Sequence, residues 1–243
     1  MKLYHGTDEK TARQALACGL RPRADTGVKS TWEEVPSRPD MIYFTNAYAL
    51  YFALMAAEPG EKLGIVEVDT DLMEESLFHP DEDFLEQATR GREDLVPIEY
   101  SMELRTKIYQ AELESYQPHW KLSLEGLGNC SYLGQVVPSE VTRVVLFDPA
   151  KSPTFRMMAL DPQISLFNYA MLGGTKYRAL MAWLFNEPVE VVEFDPMFGI
   201  EEWPEGYPED LLKHVQDRRT QMQAAVDDRS ACEMLLPEVA VGV

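Results

Sequence analysis

The sequence is poor in cysteine and histidine and has no long apolar run. Its three cysteines, Cys18, Cys130 and Cys232, stand far apart and make neither a disulfide framework nor the paired spacing of a zinc site. That usage points to a reducing, cytoplasmic compartment. The longest uninterrupted apolar run, Ala47 to Ala57, has eleven residues, against the roughly 20 that a membrane span takes. No transmembrane helix and no membrane partner are expected. The opening residues MKLYHGTDEK lack the apolar core of a secretory signal. No repeat or low-complexity tract is present. Positive charge is also scarce: 22 Lys and Arg stand against 41 Asp and Glu, a net charge of −19. Spread evenly, that charge would disfavour nucleic acid, because phosphate binding runs on Lys and Arg. It is not spread evenly. Residues 1–40 hold seven Lys/Arg against six Asp/Glu, whereas residues 186–243 hold four against fourteen. The acidity describes the tail more than the N-terminal region.

What is present is enough for a packed core: 243 residues, 45% hydrophobic, with 10 Phe, 11 Tyr and 4 Trp. Lys2 to Tyr4 reads as a strand broken at His5-Gly6-Thr7. Thr7 or Asp8 can cap a helix running to Cys18, and Gly19 stands where a left-handed stop belongs. A polar loop with Arg21, Arg23, Lys29 and Arg38 leads to a strand, Met41 to Thr45. Asn46 is placed to cap the apolar helix Ala47 to Ala57. Leu63 to Asp69 and Thr142 to Phe147 read as strands, and Asn129 to Val137 as extended. Asp71 to Arg92 reads as irregular or part helical. Ile98 to Leu124 is helical with a break at Pro118. Beyond Pro153 the pattern turns helical: 164–172, 176–185 and a polar helix at 208–228. This gives an α+β unit over 1–150 and a helical appendage with an acidic tail over 151–243.

The candidate chemistry gathers near the N-terminus. His5 can donate a hydrogen bond to a bound hydroxyl, and Gly6 lets a ligand or another backbone come close. Tyr43 offers a flat face for a planar ring. Tyr48 and Phe52 share a helix face and read as core. His79, Asp81 and Asp83 lack a recognised metal-ligand spacing, so no metal is expected.

Taken together, LYHGTDEKTARQALACGLRP (3–22), MIYFTNAYALYFALMAAEPGEKLGIVEV (41–68) and GQVVPSEVTRVVLFDP (134–149) resemble the ADP-ribosyltransferase superfamily. The resemblance is to its His–Tyr branch, which includes poly-ADP-ribose polymerases, diphtheria-toxin-like and rifampicin-modifying transferases, and small bacterial or phage mono-ADP-ribosyltransferases. It covers roughly the first 150 residues. It implies a split β-sheet core with flanking helices and a C-terminal helical appendage, and NAD as substrate. It implies that His5 bonds the nicotinamide-side ribose, that Gly6 and Thr7 shape that wall, and that Tyr43 stacks on nicotinamide. Thr45 would line the pocket, Tyr51 is either its second wall or core, and Arg21, Arg23, Lys29 and Arg38 flank the cleft, where a pyrophosphate or an acceptor nucleic acid would suit them. The reaction would be attack on the ribose C1′ with nicotinamide leaving, helped by orientation and charge stabilisation. The acceptor would be nucleic acid or protein, in the manner of a toxin or phage-conflict effector with an antitoxin partner.

The sequence departs from this family at the third catalytic position. Active members usually carry a Glu on a late strand, and Asn129 to Gln135 has no carboxylate. Asn129 or Gln135 can bond a ribose hydroxyl there but cannot serve as a base at neutral pH. Glu125 lies just upstream. Rifampicin-type members take their acid from an earlier region, here Glu67, Asp69 or Asp81-Glu82-Asp83, although that last cluster reads first as a solvated loop. Two other readings remain: a catalytically silent NAD- or ADP-ribose-binding module, and an NAD-dependent RNA 2′-phosphotransferase.

Overall fold

The computed structural model describes residues 1–30, 36–88, 96, 97, 99–112, 114–152, 178, 181, 182, 184, 185 and 232–237. Seven antiparallel strands form one sheet: β1 (Lys2–Asp8), β2 (Met41–Thr45), β3 (Leu63–Asp69), β4 (Phe78–Pro80), β5 (Asn129–Leu133), β6 (Val141–Phe147) and β7 (Cys232–Leu235). Their spatial order is β4-β5-β2-β1-β3-β6-β7. The helices are α1 (Glu9–Cys18), α2 (Arg23–Thr26), α3 (Ala49–Ala56), α4 (Glu82–Ala88), α5 (Met102–Glu112) and α6 (Trp120–Gly126). The fold class is α+β. The expected helices 164–172 and 208–228 and most of 176–185 lie outside the described residues.

β1 does not break at His5. It runs on through His5, Gly6 and Thr7 because these pair with Val66, Ile65 and Gly64 of β3. Two glycines in this ladder let helices press on both faces. A Cβ on Gly6 would lie 2.1 Å from the Ala49 carbonyl oxygen and 2.5 Å from the Ala53 nitrogen of α3. A Cβ on Gly64 would lie 2.3 Å from the Ala12 Cβ of α1. The backbone that Gly6 admits is therefore α3. One core joins Tyr4, Ala53, Ile65, Val145 and Phe147 under α3, and Met181, Leu184 and Phe185 pack into it. A second core, on the other face, joins Leu3, Ala12, Ala15, Val66, Val144 and Trp120.

Asp8 caps α1, accepting from the Thr11 nitrogen at 2.8 Å, and Gly19 ends it at φ 72°. α3 begins after Tyr48 and has no side-chain cap, so Asn46 does not cap it. The Thr45 hydroxyl accepts from the nitrogens of Ala47 (3.1 Å) and Tyr48 (2.9 Å), while Asn46 turns to the Leu124 carbonyl. The Thr45 hydroxyl thus closes the turn that leads from the end of β2 towards α3.

Buried Glu67 ties β3 to β6 by a bidentate pair with Arg143, Nε to Oε1 at 3.0 Å and Nη2 to Oε2 at 2.9 Å. Arg143 also donates to the Phe185 carbonyl at 2.8 Å. β7 pairs with β6, Cys232 opposite Phe147. Cys232–Leu235 thus shares a sheet with β1–β6.

Candidate active site

The sheet is split where β1 meets β2. These strands share one register pair, Tyr4 with Thr45, whereas β1 and β3 share seven. His5 bridges the opening, its Nδ1 lying 2.9 Å from the Tyr43 carbonyl oxygen. A carbonyl can only accept, so Nδ1 carries the proton. Burial lowers the His5 pKa from 6.5, opposed by the bond to Tyr43 and the charge of Asp8. The ring is therefore neutral at pH 7, and Nε2 is a bare acceptor without a partner among the described residues. His5 is set up to accept from a hydroxyl rather than to donate to one. The ring of Phe44 meets it edge-on, centroids 6.2 Å apart.

Tyr43 lies on the opposite face of β2 from Ile42 and Phe44. Its hydroxyl donates to Glu82 Oε1 at 2.5 Å and accepts from the Arg38 nitrogen at 3.0 Å. Burial, and then the charges of Glu82 and Asp81, push the phenol well above its usual pKa of 10, so it remains a donor. Glu82 Oε1 also accepts from the Arg38 nitrogen (3.2 Å) and from Gln110 Nε2 (3.3 Å). All three donors converge on one oxygen. Oε2 has no partner among the described residues.

The run Asp81-Glu82-Asp83 is not a solvated loop. Asp81 and Glu82 are only 8% and 6% exposed. Asp81 enters α4 as a cap, Oδ1 accepting from the Asp83 nitrogen at 2.9 Å, while its own nitrogen donates to Ser123 Oγ. Buried beside Asp83 and Glu82, the Asp81 carboxyl is raised well above the normal range. The signal for this was present in the sequence: an Asp cap, two acids in a first helical turn, and then apolar Phe84 and Leu85, of which Leu85 is buried.

The other expected acids are accounted for. Glu67 is held by Arg143, Thr142 and Lys2. Asp69 binds the N-terminal amine and Lys2, which hold its pKa near 2 against the opposing effect of burial. Glu125 is exposed on α6.

The remaining expected residues divide. Thr7 is buried beside His5, its hydroxyl 3.5 Å from Asp8. Tyr51 is buried edge-on to Phe52, centroids 5.4 Å apart. Thr45 has no hydroxyl capacity left for a ligand, since it donates to the Gly128 carbonyl at 2.7 Å and accepts from the Ala47 and Tyr48 nitrogens. Asn129 is buried opposite Thr45, and its Oδ1 is unpartnered. Ser131 stands opposite both Tyr43 and His79, its hydroxyl donated to the Pro80 carbonyl at 2.9 Å. Gln135 lies beyond the end of β5, exposed and bonded to the Cys18 carbonyl, and does not join the His5–Tyr43 group. Arg23 binds Ser37, Arg38 binds Asp40, and Arg21 and Lys29 are exposed. Gln110 went unnoticed in the sequence, where one polar residue on a helix carries no signal. Among the described residues, no group of three or more His, Cys, Asp or Glu could hold a metal, and no helix is long and apolar enough to cross a membrane.

No protein-family model matches the chain. No curated protein matches it in sequence. Among solved structures, the chain titled EcPltA is similar over 60% of this chain and 75% of its own, with a TM-score of 0.34 and 8% identity. That is a weak structural likeness. The case for a function is made by the split sheet and the side chains that meet at it.

Proposed function

We propose that the chain is a mono-ADP-ribosyltransferase that moves ADP-ribose from NAD to a macromolecular acceptor, nucleic acid or protein. The observation that carries this reading is the junction at the split: His5 bonded to Tyr43 across it, with Tyr43 bonded to a buried carboxylate. In this reading His5 Nε2 accepts from a ribose hydroxyl, and the Tyr43 ring, pinned at its hydroxyl, gives nicotinamide a flat wall. Glu82 supplies the acid that β5 lacks. The C1′–nitrogen bond breaks and nicotinamide departs neutral with the electron pair. The acceptor's lone pair closes on C1′, and its proton passes to Glu82 Oε2. The same oxygen faces the positive charge that develops on the ribose, where a fixed negative charge lowers the barrier.

A silent NAD-binding module is the second reading, favoured by the absence of any carboxylate on β5. The deciding experiment is nicotinamide release from NAD by the purified chain, alone and with DNA, RNA or protein added. Release with label transferred to one additive supports the transferase and identifies its acceptor class. Saturable NAD binding without release supports the silent module. Neither binding nor release overturns both.

A further inference from the structure

We propose that Gln110 is a positioning residue: it fixes the Glu82 carboxylate in the rotation that leaves Oε2 open, and so acts on the reaction through Glu82. This rests on the reading of Glu82 given above.

Gln110 lies in the last turn of α5. Its side-chain nitrogen donates to the Pro36 carbonyl at 2.9 Å and to Glu82 Oε1 at 3.3 Å, so both amide hydrogens are engaged. Its backbone carbonyl accepts from Arg38 Nη1 at 3.4 Å. Gln110 is thus tied by side chain and main chain to residues 36–38, the segment whose Arg38 nitrogen also reaches Tyr43 and Glu82. Asp40 holds the Arg38 guanidinium, Nε to Oδ1 at 2.9 Å and Nη2 to Oδ2 at 2.5 Å. The neighbouring Tyr109 is buried with Met41 and Leu85, which sets the position of α5 against β2 and α4. Three elements therefore meet at one carboxylate oxygen.

This arrangement has a chemical purpose. The terminal torsion of a Glu is broad and roughly two-fold, so a single donor does not settle which way the second oxygen turns. Donors from Tyr43, Arg38 and Gln110 approach from different elements and fix the carboxylate plane. An amide does this without a charge. A Lys or Arg there would pair with Glu82 and cancel the negative charge the reaction uses. A carboxylate there would repel it. Among the described residues, the charged and titratable groups beside Glu82 include Tyr43, Arg38 with Asp40, and Asp81 and Asp83 of the α4 entry.

The test uses the full chain with Gln110→Leu, which keeps the bulk and loses the donor, and Gln110→Glu, which keeps the shape and adds a carboxylate. Nicotinamide release is followed for kcat, KM for NAD and pH dependence, beside thermal unfolding. Gln110→Leu is expected to lower kcat about tenfold with KM changed less than twofold and an unfolding midpoint near the wild type. Gln110→Glu is expected to move the acid limb of the pH–rate profile upward by about one unit, a change that loosened packing alone does not produce. Should Gln110→Leu fail to fold, the limb of Gln110→Glu decides. Wild-type kcat and an unmoved limb in both variants, with Glu82→Gln inactive, overturn the role of Gln110 and leave the transferase reading standing. Full activity in Glu82→Gln, or no release by the wild type, overturns both.

Discussion

Tyr43→Phe removes one oxygen from the centre of the site and leaves the ring. The lost hydroxyl makes two bonds, to Glu82 Oε1 at 2.5 Å and from the Arg38 nitrogen at 3.0 Å. A hydrogen bond to a charged group contributes about 1.5–3 kcal/mol. The Arg38 amide is not orphaned, because Glu82 Oε1 remains an acceptor at 3.2 Å, so little is added on that side. Nor is the carboxylate stranded, since Gln110 still donates to it. The expected loss is about 2 kcal/mol. For a chain of this size each kcal/mol moves the midpoint by roughly 2–4 °C, so thermal unfolding should shift down by about 4–8 °C. If the same energy holds the carboxylate for the transition state, nicotinamide release should fall by up to about thirtyfold. Scanning calorimetry and release kinetics on the same preparation read both numbers. A midpoint within about 1 °C of wild type would refute the tyrosine–carboxylate bond as an element of the folded state.

The other expectations concern the walls of the site. Gly6→Ala puts a methyl group against the α3 backbone, whose atoms cannot swing away as a side-chain end can, so the loss should reach or exceed about 3 kcal/mol; urea unfolding that matches wild type would show that α3 does not press on β1. Burial lowers the His5 pKa, so its contribution to stability is complete above the ordinary value near 6.5 and is lost as pH falls through the lowered folded value. His5→Gln should therefore lose less stability than wild type between about pH 7 and 5 in urea melts, and parallel curves would count against a buried neutral ring. Asp81 runs the other way: its raised folded pKa gives stability at acid pH that is lost as pH rises. Asp81→Asn keeps an oxygen to cap α4 and should be more stable than wild type at pH 7, by about 1.4 kcal/mol for each unit of upward shift removed, with the gain shrinking as pH falls; a gain independent of pH would refute a charge cost.

His5 and Tyr43 stood out in the sequence because each sits in a short local pattern, His-Gly-Thr and Ile-Tyr-Phe-Thr, and the fold brings the two together. The helix over 9–18 and its Gly19 stop were legible for the same reason. β4 was not: it is three residues long and ends in Pro80, too short to show a period. The start of α3 was misplaced because Asn46 is a good capping residue by type, whereas the helix begins after Tyr48 with no side-chain cap. The partner of Tyr43 was out of reach because Glu82 stands 39 residues away, and such a pair leaves no periodic trace. Register makes the choice of acid once the sheet is known. β5 puts Ser131 opposite Tyr43, and Ser131 has given its hydroxyl to Pro80. A carboxylate that meets Tyr43 therefore comes from outside the sheet, on an element packed against the Tyr43 face. α4 is such an element, and it starts directly after β4, whose His79 lies in the same row as Ser131 and Tyr43. Of the three acids at its start, Asp81 caps the helix and Asp83 is turned to solvent. Glu82 is the one left to meet the tyrosine, which is why a sequence without a carboxylate on β5 can still place one at the split.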